Sequence, residues 1–357
     1  MDQHTKPGLY KTVVIKAIKE EVKGFKTFLL EADPVQPIRY RAGQYLTLVH
    51  PTRHEEVRRS YSFVSSPDLN EPLCIGVKRI ENGFFSRKLI EEAKPGDQLV
   101  TTGAAGRFIL PENIQDYKQV FFLAAGSGIT PIFSLLKTVL HRYPFLQAIL
   151  IYSNASPEKA IFRQELEALQ QQYPTQLQVE FLYSNNQNLS RARLYRELLE
   201  TFLKTHITVP YRQALFYICG PEAYMRMCSY VLQEAQVPTD HIKKENFTIE
   251  RIRPPRAAPP DTHPHQVFLQ LGNKEYQFET HYPDTILQSA KKQGIVLPYS
   301  CEVGRCGNCL AQCTRGQVWH SYNEVLTDKE LAAGMILTCV GYPIYGDVTL
   351  RIGAEEV

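Results

Sequence analysis

Cys301, Cys306, Cys309 and Cys339 follow the pattern C-x4-C-x2-C with a distant fourth cysteine, a spacing at which four thiolates hold a 2Fe-2S cluster. Three of them share one short loop, and the fourth closes the site from elsewhere in the chain. Gly304 and Gly307 suit that loop, because backbone must pass close to inorganic sulfide and turn through positive φ. A structural zinc site pairs two short C-x2-C knuckles, whereas Cys339 has no cysteine within four residues. The chemistry of the loop is therefore single-electron transfer. Cys313 falls on a predicted strand and is a neighbour of the cluster rather than a ligand. Cys74 and Cys228 sit in apolar segments as small buried hydrophobes.

Two further groups of residues could bind nucleotides. Gly126-Ser127-Gly128-Ile129-Thr130-Pro131 is a glycine turn between an apolar strand and a helix, where backbone amides can approach a pyrophosphate at a helix start. Thr130 is expected to cap that helix and Pro131 to open it. A second such turn, Cys219-Gly220-Pro221, ends a later apolar strand, so both can face one dinucleotide at the carboxyl edge of a parallel sheet. Earlier, Arg59-Ser60-Tyr61-Ser62 alternates along a strand, placing Arg59 and Tyr61 on one face and Ser60 and Ser62 on the other. Val77-Lys78-Arg79 adds cations, and Gly83-Phe84-Phe85-Ser86 is a glycine-to-helix phosphate turn. Each group also has a structural reading, as packing turn, core or solvated charge.

These residues must be positioned by 357 residues, enough for two or three domains, with 43% hydrophobic and 22% charged residues and a net charge of +3. No basic block suggests nucleic acid, and no apolar run reaches the ~18 residues of a membrane span. The N-terminal residues lack a signal-peptide core, and five of the eight cysteines crowd between Cys301 and Cys339. A reducing, cytoplasmic setting is expected. Short β-type runs with Gly and Pro turns over residues 8–112 predict a small antiparallel β-barrel. Alternating apolar strands and helices over 117–248 predict an α/β doubly wound sheet. Residues 251–265 carry five prolines in fifteen positions and read as the body of a linker spanning 249–265. Residues 266–357 then read as a small α+β module. A multidomain chain follows.

With these motifs in place, residues 8–247 resemble the ferredoxin-NADP reductase superfamily, and residues 266–357 resemble plant-type ferredoxins of the β-grasp fold. The domain order is most similar to the reductase components of bacterial oxygenases, the phenylacetyl-CoA epoxidase reductases in particular. The resemblance implies that Arg59 contacts flavin phosphate, Tyr61 stacks on the isoalloxazine, and Ser60 and Ser62 line the flavin site with Ser62 near N5. It implies that Val77, Lys78 and Arg79 run along the flavin and that Gly83, Phe84, Phe85 and Ser86 bind its pyrophosphate. Gly126, Ser127, Gly128, Thr130, Pro131, Gly220 and Pro221 would hold the nicotinamide cofactor, with Cys219 near its reactive ring. Glu245 and Phe247, in the closing strand, would lie near the flavin. Ser62, Cys219 and Glu245 form the expected catalytic set.

The function implied is hydride transfer from NAD(P)H to FAD, then single electrons through the 2Fe-2S cluster to a protein acceptor, an oxygenase component. An FMN-type dioxygenase reductase shares the domain order. A ferredoxin-like module that does not turn over is the non-enzymatic alternative, and extracting the flavin separates the three. Coenzyme preference stays open: the stretches after the second and third α/β strands, Tyr152-Ser153-Asn154-Ala155 and Tyr183-Ser184-Asn185-Asn186, lack the arginine of NADPH-preferring relatives. Arg191 and Arg193 follow closely.

Overall fold

Apolar residues at period two build six strands, β1 (Lys11–Val22), β2 (Phe25–Ala32), β3 (Tyr45–Pro51), β4 (Glu56–Ser62), β5 (Cys74–Lys78) and β6 (Gln98–Ala105), in a computed structural model that describes residues 10–51, 56–247 and 258–353. They form an antiparallel sheet in the order β4-β3-β6-β1-β2-β5. Its edges meet where Phe63 bridges Ile75 and the Val64 N–H donates to the Cys74 carbonyl at 2.9 Å. The sheet thus closes into the expected barrel, which removes its exposed edges. Ile15, Phe28, Leu46, Leu48, Phe63, Ile75 and Val77 fill the interior, and α1 (Phe84–Glu91) buries Phe85, Leu89 and Ile90 against them. Strand β6 has no clear sequence signal, because its run of threonine, glycine and alanine pairs well only between β1 and β3.

Beyond the barrel come β7 (Gln119–Ala125), α2 (Ile129–Arg142), β8 (Gln147–Asn154), α3 (Arg163–Gln172), β9 (Leu177–Tyr183), α4 (Arg196–His206), β10 (Ala214–Cys219), α5 (Glu222–Glu234) and β11 (Ile242–Glu245). All five strands are parallel, in the order β11-β10-β7-β8-β9. Helices cover both faces, so β7 is apolar at nearly every position: Phe122 enters one core and Phe121 the other. Neighbours of β7 are β8 on one side and β10 on the other, which opens a crevice at its carboxyl end. Barrel and sheet share a core containing Phe25, Val64 and Phe108 with Ile129, Ile132 and Phe133. Buried hydroxyls reinforce it, Ser134 Oγ donating to the Ser65 carbonyl at 2.6 Å and Ser66 Oγ meeting Thr138 Oγ1 at 2.6 Å.

The chain divides into two units, Met1–Thr248 and Ile249–Val357. In the second, β12 (His265–Leu271), β13 (Lys274–Thr280), β14 (Leu310–His320), β15 (Met335–Leu337) and β16 (Gly341–Ile352) form a mixed sheet in the order β13-β12-β16-β14-β15, β12 and β16 being parallel. Helices α6 (Ile286–Lys292) and α7 (Asp328–Ala332) start with capping boxes, Thr285 with Gln288 and Thr327 with Glu330. Of the proline-rich segment, residues 249–257 lie outside the described residues. The remainder is anchored: the Asp261 carboxylate accepts from the Tyr345 N–H at 2.7 Å, the His263 N–H at 3.0 Å and His265 Nε2 at 2.8 Å. These donors hold the Asp261 carboxyl well below the usual carboxylate range. Among the described residues no helix is long and apolar enough to cross a membrane.

Candidate nucleotide and cluster sites

At the carboxyl edge of the parallel sheet lies a cleft of about 780 Å³. Gly126, Ser127, Gly128, Gly220 and Pro221 line it, together with Lys78 and Phe247 from outside the sheet. The glycines have different reasons to be there. Gly126 adopts φ 55°, and a side chain on it would meet nothing within 4 Å, so this position keeps backbone open toward a ligand. A Cβ on Gly128 would instead stand 2.0 Å from the Cys219 carbonyl oxygen, so the two turns touch through main chain. Tyr152 donates its hydroxyl to the Gly126 carbonyl at 3.1 Å and Tyr224 to the Ala124 carbonyl at 3.2 Å, bracing the turn from below.

The expected cap at Thr130 is not formed. Residues Gly126–Gly128 make a 3-10 turn and α2 already begins at Ile129, which puts Thr130 and Pro131 inside its first turn. Thr130 Oγ1 donates to the Ser127 carbonyl at 2.8 Å instead of accepting from a helical amide. Its methyl packs toward Gly76 of the barrel, where a Cβ would come within 2.7 Å. Neither residue lines the cleft, and neither does Cys219, which is fully buried behind Gly128.

Ser62, at the end of β4, and Glu245, at the end of β11, meet across the first unit: Ser62 Oγ donates to Glu245 Oε2 at 3.2 Å. Glu245 pairs in register with Cys219. The three residues expected to act together are thus neighbours. Burial pushes the Glu245 carboxyl up to about 8, the Ser62 hydrogen bond opposing it. Burial and the adjacent Glu245 raise the Cys219 thiol well above its ordinary value, so it stays a neutral thiol, not a nucleophile. A consequence is measurable in the stability of the fold. Between the usual carboxylate range and about 8 the folded chain keeps a proton on Glu245 that the unfolded chain has released. Stability therefore falls as pH rises through this window, by up to about 1.4 kcal/mol per pH unit. Glu245→Gln is expected to flatten that slope in urea titrations; an unchanged slope would show that Glu245 is not held in its acid form.

Along β4 the alternation holds. Arg58 is buried, in an ion pair with Glu56 at 2.9 Å and beside the Tyr10 hydroxyl, while Arg59 and Tyr61 are half-exposed on the other side. Ser60 Oγ contacts Thr47 Oγ1 at 3.1 Å and ties β4 to β3. Tyr61 and Phe85 approach with ring centroids 6.2 Å apart, and His50 stands 5.3 Å from the exposed ring of Phe84. Gly83 precedes α1 without any side-chain cap, and Ser86 Oγ locks the turn by accepting from the Ile80 N–H at 3.1 Å. An uncapped helix start beside aromatic rings fits a dinucleotide pyrophosphate and a flat ring system. Lys78 reaches the cleft, Val77 points into the barrel core, and Arg79 pairs with Glu91 at 2.8 Å.

In the second unit the four thiols converge, Cys301 in hydrogen-bonding contact with Cys306 and Cys339, and Cys339 with Cys309. Gly304 at φ 76° and Gly307 at φ 71° take the expected positive torsions. The Arg305 N–H points at Cys301 Sγ at 3.4 Å. Among the described residues no three His, Cys, Asp or Glu side chains converge on one ion. A 2Fe-2S centre asks for no such triple, since each iron takes two protein ligands. Donor type and spacing both fit the cluster.

The cleft takes in residues from both stretches weighed for coenzyme preference, Ser153 and Asn154 at the end of β8 and Ser184 after β9, together with Arg193, while Tyr195 and Arg196, ahead of and within α4, went unassigned in the sequence. The crevice rule points to such strand ends, but no motif marks them. The side-chain amide of Asn154 and the Ser153 hydroxyl are buried in the cleft wall without a hydrogen-bond partner of good geometry.

Comparison with known proteins agrees with this architecture. The family described as Oxidoreductase FAD-binding domain matches residues 12–109, Oxidoreductase NAD-binding domain residues 122–230, and 2Fe-2S iron-sulfur cluster binding domain residues 269–343. The chain is 32% identical to one of the subunits of 1,2-phenylacetyl-CoA epoxidase of Escherichia coli (strain K12), over 92% of this chain and 93% of that protein. It is 30% identical to the ferredoxin reductase component of 3-ketosteroid-9-alpha-monooxygenase of Mycobacterium tuberculosis, over 87% and 84%. Among solved structures, phthalate dioxygenase reductase superposes with a TM-score of 0.59 at 22% identity, over 96% of this chain and 98% of that one.

Proposed function

The chain belongs to the ferredoxin-NADP reductase superfamily, in the branch that joins FAD-binding, NAD-binding and 2Fe-2S domains, and from that premise we propose that it delivers electrons from NADPH to an oxygenase. The acceptor the reading favours is a phenylacetyl-CoA epoxidase, on the similarity to the Escherichia coli protein. One observation carries the proposal: four mutually contacting thiols lie on the same chain as a dinucleotide cleft. When bound, the nicotinamide supplies a hydride, the flavin divides it into single electrons, and the cluster passes these on one at a time.

The protein orients and insulates. Arg59 and the start of α1 hold negative charge, Tyr61 offers an aromatic face, and the Gly126 turn admits a pyrophosphate. Glu245 keeps its proton at neutral pH and Ser62 fixes the position of that carboxyl. Flavin extraction, iron and sulfide analysis, and reconstitution with the catalytic components of the epoxidase test the assignment. FAD, one cluster per chain and product formation are expected. FMN would favour a dioxygenase-type reductase, and a flavin-free protein would overturn the reading.

NADPH is favoured over NADH by the charges around the cleft. Lys78, Arg193 and Arg196 line it, and among the described residues no carboxylate does, whereas an acidic side chain is what usually recognises a free ribose 2′-hydroxyl. Arg191 is held by Glu180 at 2.6 Å, and Arg196 by Glu200 and Glu234 at 2.9 and 2.8 Å. Arg193 is the arginine of this group left for a 2′-phosphate. Arg193→Ala is expected to weaken 2′,5′-ADP by about 1.5 kcal/mol, roughly tenfold, while sparing 5′-AMP. Calorimetry that finds both ligands weakened alike would refute the assignment.

A further inference from the structure

Resting on the 2Fe-2S reading of the four thiols, we infer that Arg305, a cation buried in the ligand loop, and the more exposed Glu324 paired with it set the reduction potential of the cluster. Arg305 lies within the ligand loop, between Gly304 and Cys306, and only 10% of its side chain is exposed. Its Nε is buried without a hydrogen bond and stands 3.4 Å from Glu324 Oε1. The guanidinium lies 5.7 Å from the centre of the Tyr322 ring. Glu324 is no chance neighbour. Its N–H donates to the Gly304 carbonyl at 3.1 Å, its carboxylate accepts from the Tyr322 hydroxyl, and a Cβ on Gly304 would come within 3.0 Å of the Tyr322 carbonyl oxygen. The loop after β14 is thus seated on the ligand loop through a position that only glycine fits.

Reduction adds one negative charge to a site already rich in thiolate, and a cluster's potential follows the net charge around it. Charges excluded from water act strongly, whereas exposed ones are screened. A second cation at this loop, Lys291 paired with Glu302 at 3.0 Å, is about one-third exposed, and the two carboxylates are equally exposed, so the pairs differ in their cations. Arg305 is more deeply buried. It favours the reduced cluster, and Glu324 attenuates that effect by sharing its charge. The pair is a positioning and tuning element, and neither residue is a ligand.

Anaerobic redox titration of the intact holoprotein, followed by visible absorbance and by the EPR signal of the reduced cluster, tests this. Arg305→Gln is expected to shift the reduction equilibrium against the reduced cluster by roughly tenfold, 59 mV for a one-electron couple. Glu324→Gln should shift it the other way, and Arg305→Lys should stay closest to the parent. Opposite signs are what a merely structural role would not give. Shifts of the same sign, or none, overturn the proposal. Should Arg305→Gln fail to hold a cluster, the sign for Glu324→Gln decides. Iron and sulfide are measured first in the parent protein; their absence would overturn the cluster reading and this proposal with it.

Discussion

Gly128→Ala is expected to abolish NADPH-dependent reduction and to lower the melting temperature. The added methyl would stand 2.0 Å from the Cys219 carbonyl oxygen and 2.4 Å from its carbonyl carbon. A flexible side chain could turn aside, but here the obstacle is the main chain at the end of β10, an interior strand held between β11 and β7. Overpacking a tight core commonly costs about 1–3 kcal/mol, and an obstacle that cannot rotate away puts this case at the upper end. Relief requires the two glycine turns to separate, which deforms the cleft they line. Gly126→Ala is the informative contrast. It meets no steric obstacle, but its φ of 55° costs an alanine about 1–2 kcal/mol. That variant should fold and bind NADPH more weakly. Thermal melts with NADPH titrations separate the two, and a Gly128→Ala protein with the parent's stability and affinity would contradict the contact between the turns.

Cys309→Ser is the second large effect: electron delivery to a protein acceptor should fall to background while NADPH-driven ferricyanide reduction survives. Cys309 is 2% exposed and belongs to the core of the second unit. Its carbonyl accepts both the N–H of Thr338 at 3.0 Å and the Thr338 hydroxyl at 3.2 Å, which brings the neighbouring Cys339 to the site. Serine preserves size but replaces a soft thiolate with a hard, protonated oxygen, and iron–sulfur centres select the former. The fold should persist and the iron content should drop. Cys313→Ser is the control. Its sulfur points toward the Arg315 carbonyl at 3.3 Å, outside the set of contacting thiols, and the change should leave iron content untouched. Equal iron loss in both variants would place Cys313 among the ligands.

The cluster loop was legible because its information is local: ligand type, ligand spacing and two glycines, all within nine residues, with only Cys339 supplied from afar. The parallel sheet was legible for a related reason, since β7 and β10 are buried on both faces and announce themselves as unbroken apolar runs. What escaped depends on tertiary pairing. Strand β6 gains its identity from β1 and β3, and β15 is three residues held by β14. Thr130 looks like a cap from its neighbours alone, yet the 3-10 turn before it starts the helix early. Alternation along β4 already set Arg59 on the face of Tyr61; what the structure adds is the burial of Arg58 beside Glu56. Asn154, Ser184 and Arg193 were already grouped by the strand-end rule, whereas Tyr195 and Arg196 join them in the cleft through the folding of α4, which no motif marks.

The cleft walls also differ in how freely they can change over generations. Around β7 and β10 the fit is made by main chain against main chain, so every substitution at Gly128 meets the same obstacle whatever side chain stands at position 219. At the ends of β8 and β9 the lining is made by side chains, Ser153 and Asn154 at the end of β8 and Ser184 and Arg193 on the loop after β9, none of them part of the glycine contact. On the NADPH reading, coenzyme choice can therefore be re-engineered at these side chains while the contact between the glycine turns stays as it is. A lineage could exchange one reductant for another without rebuilding its catalyst.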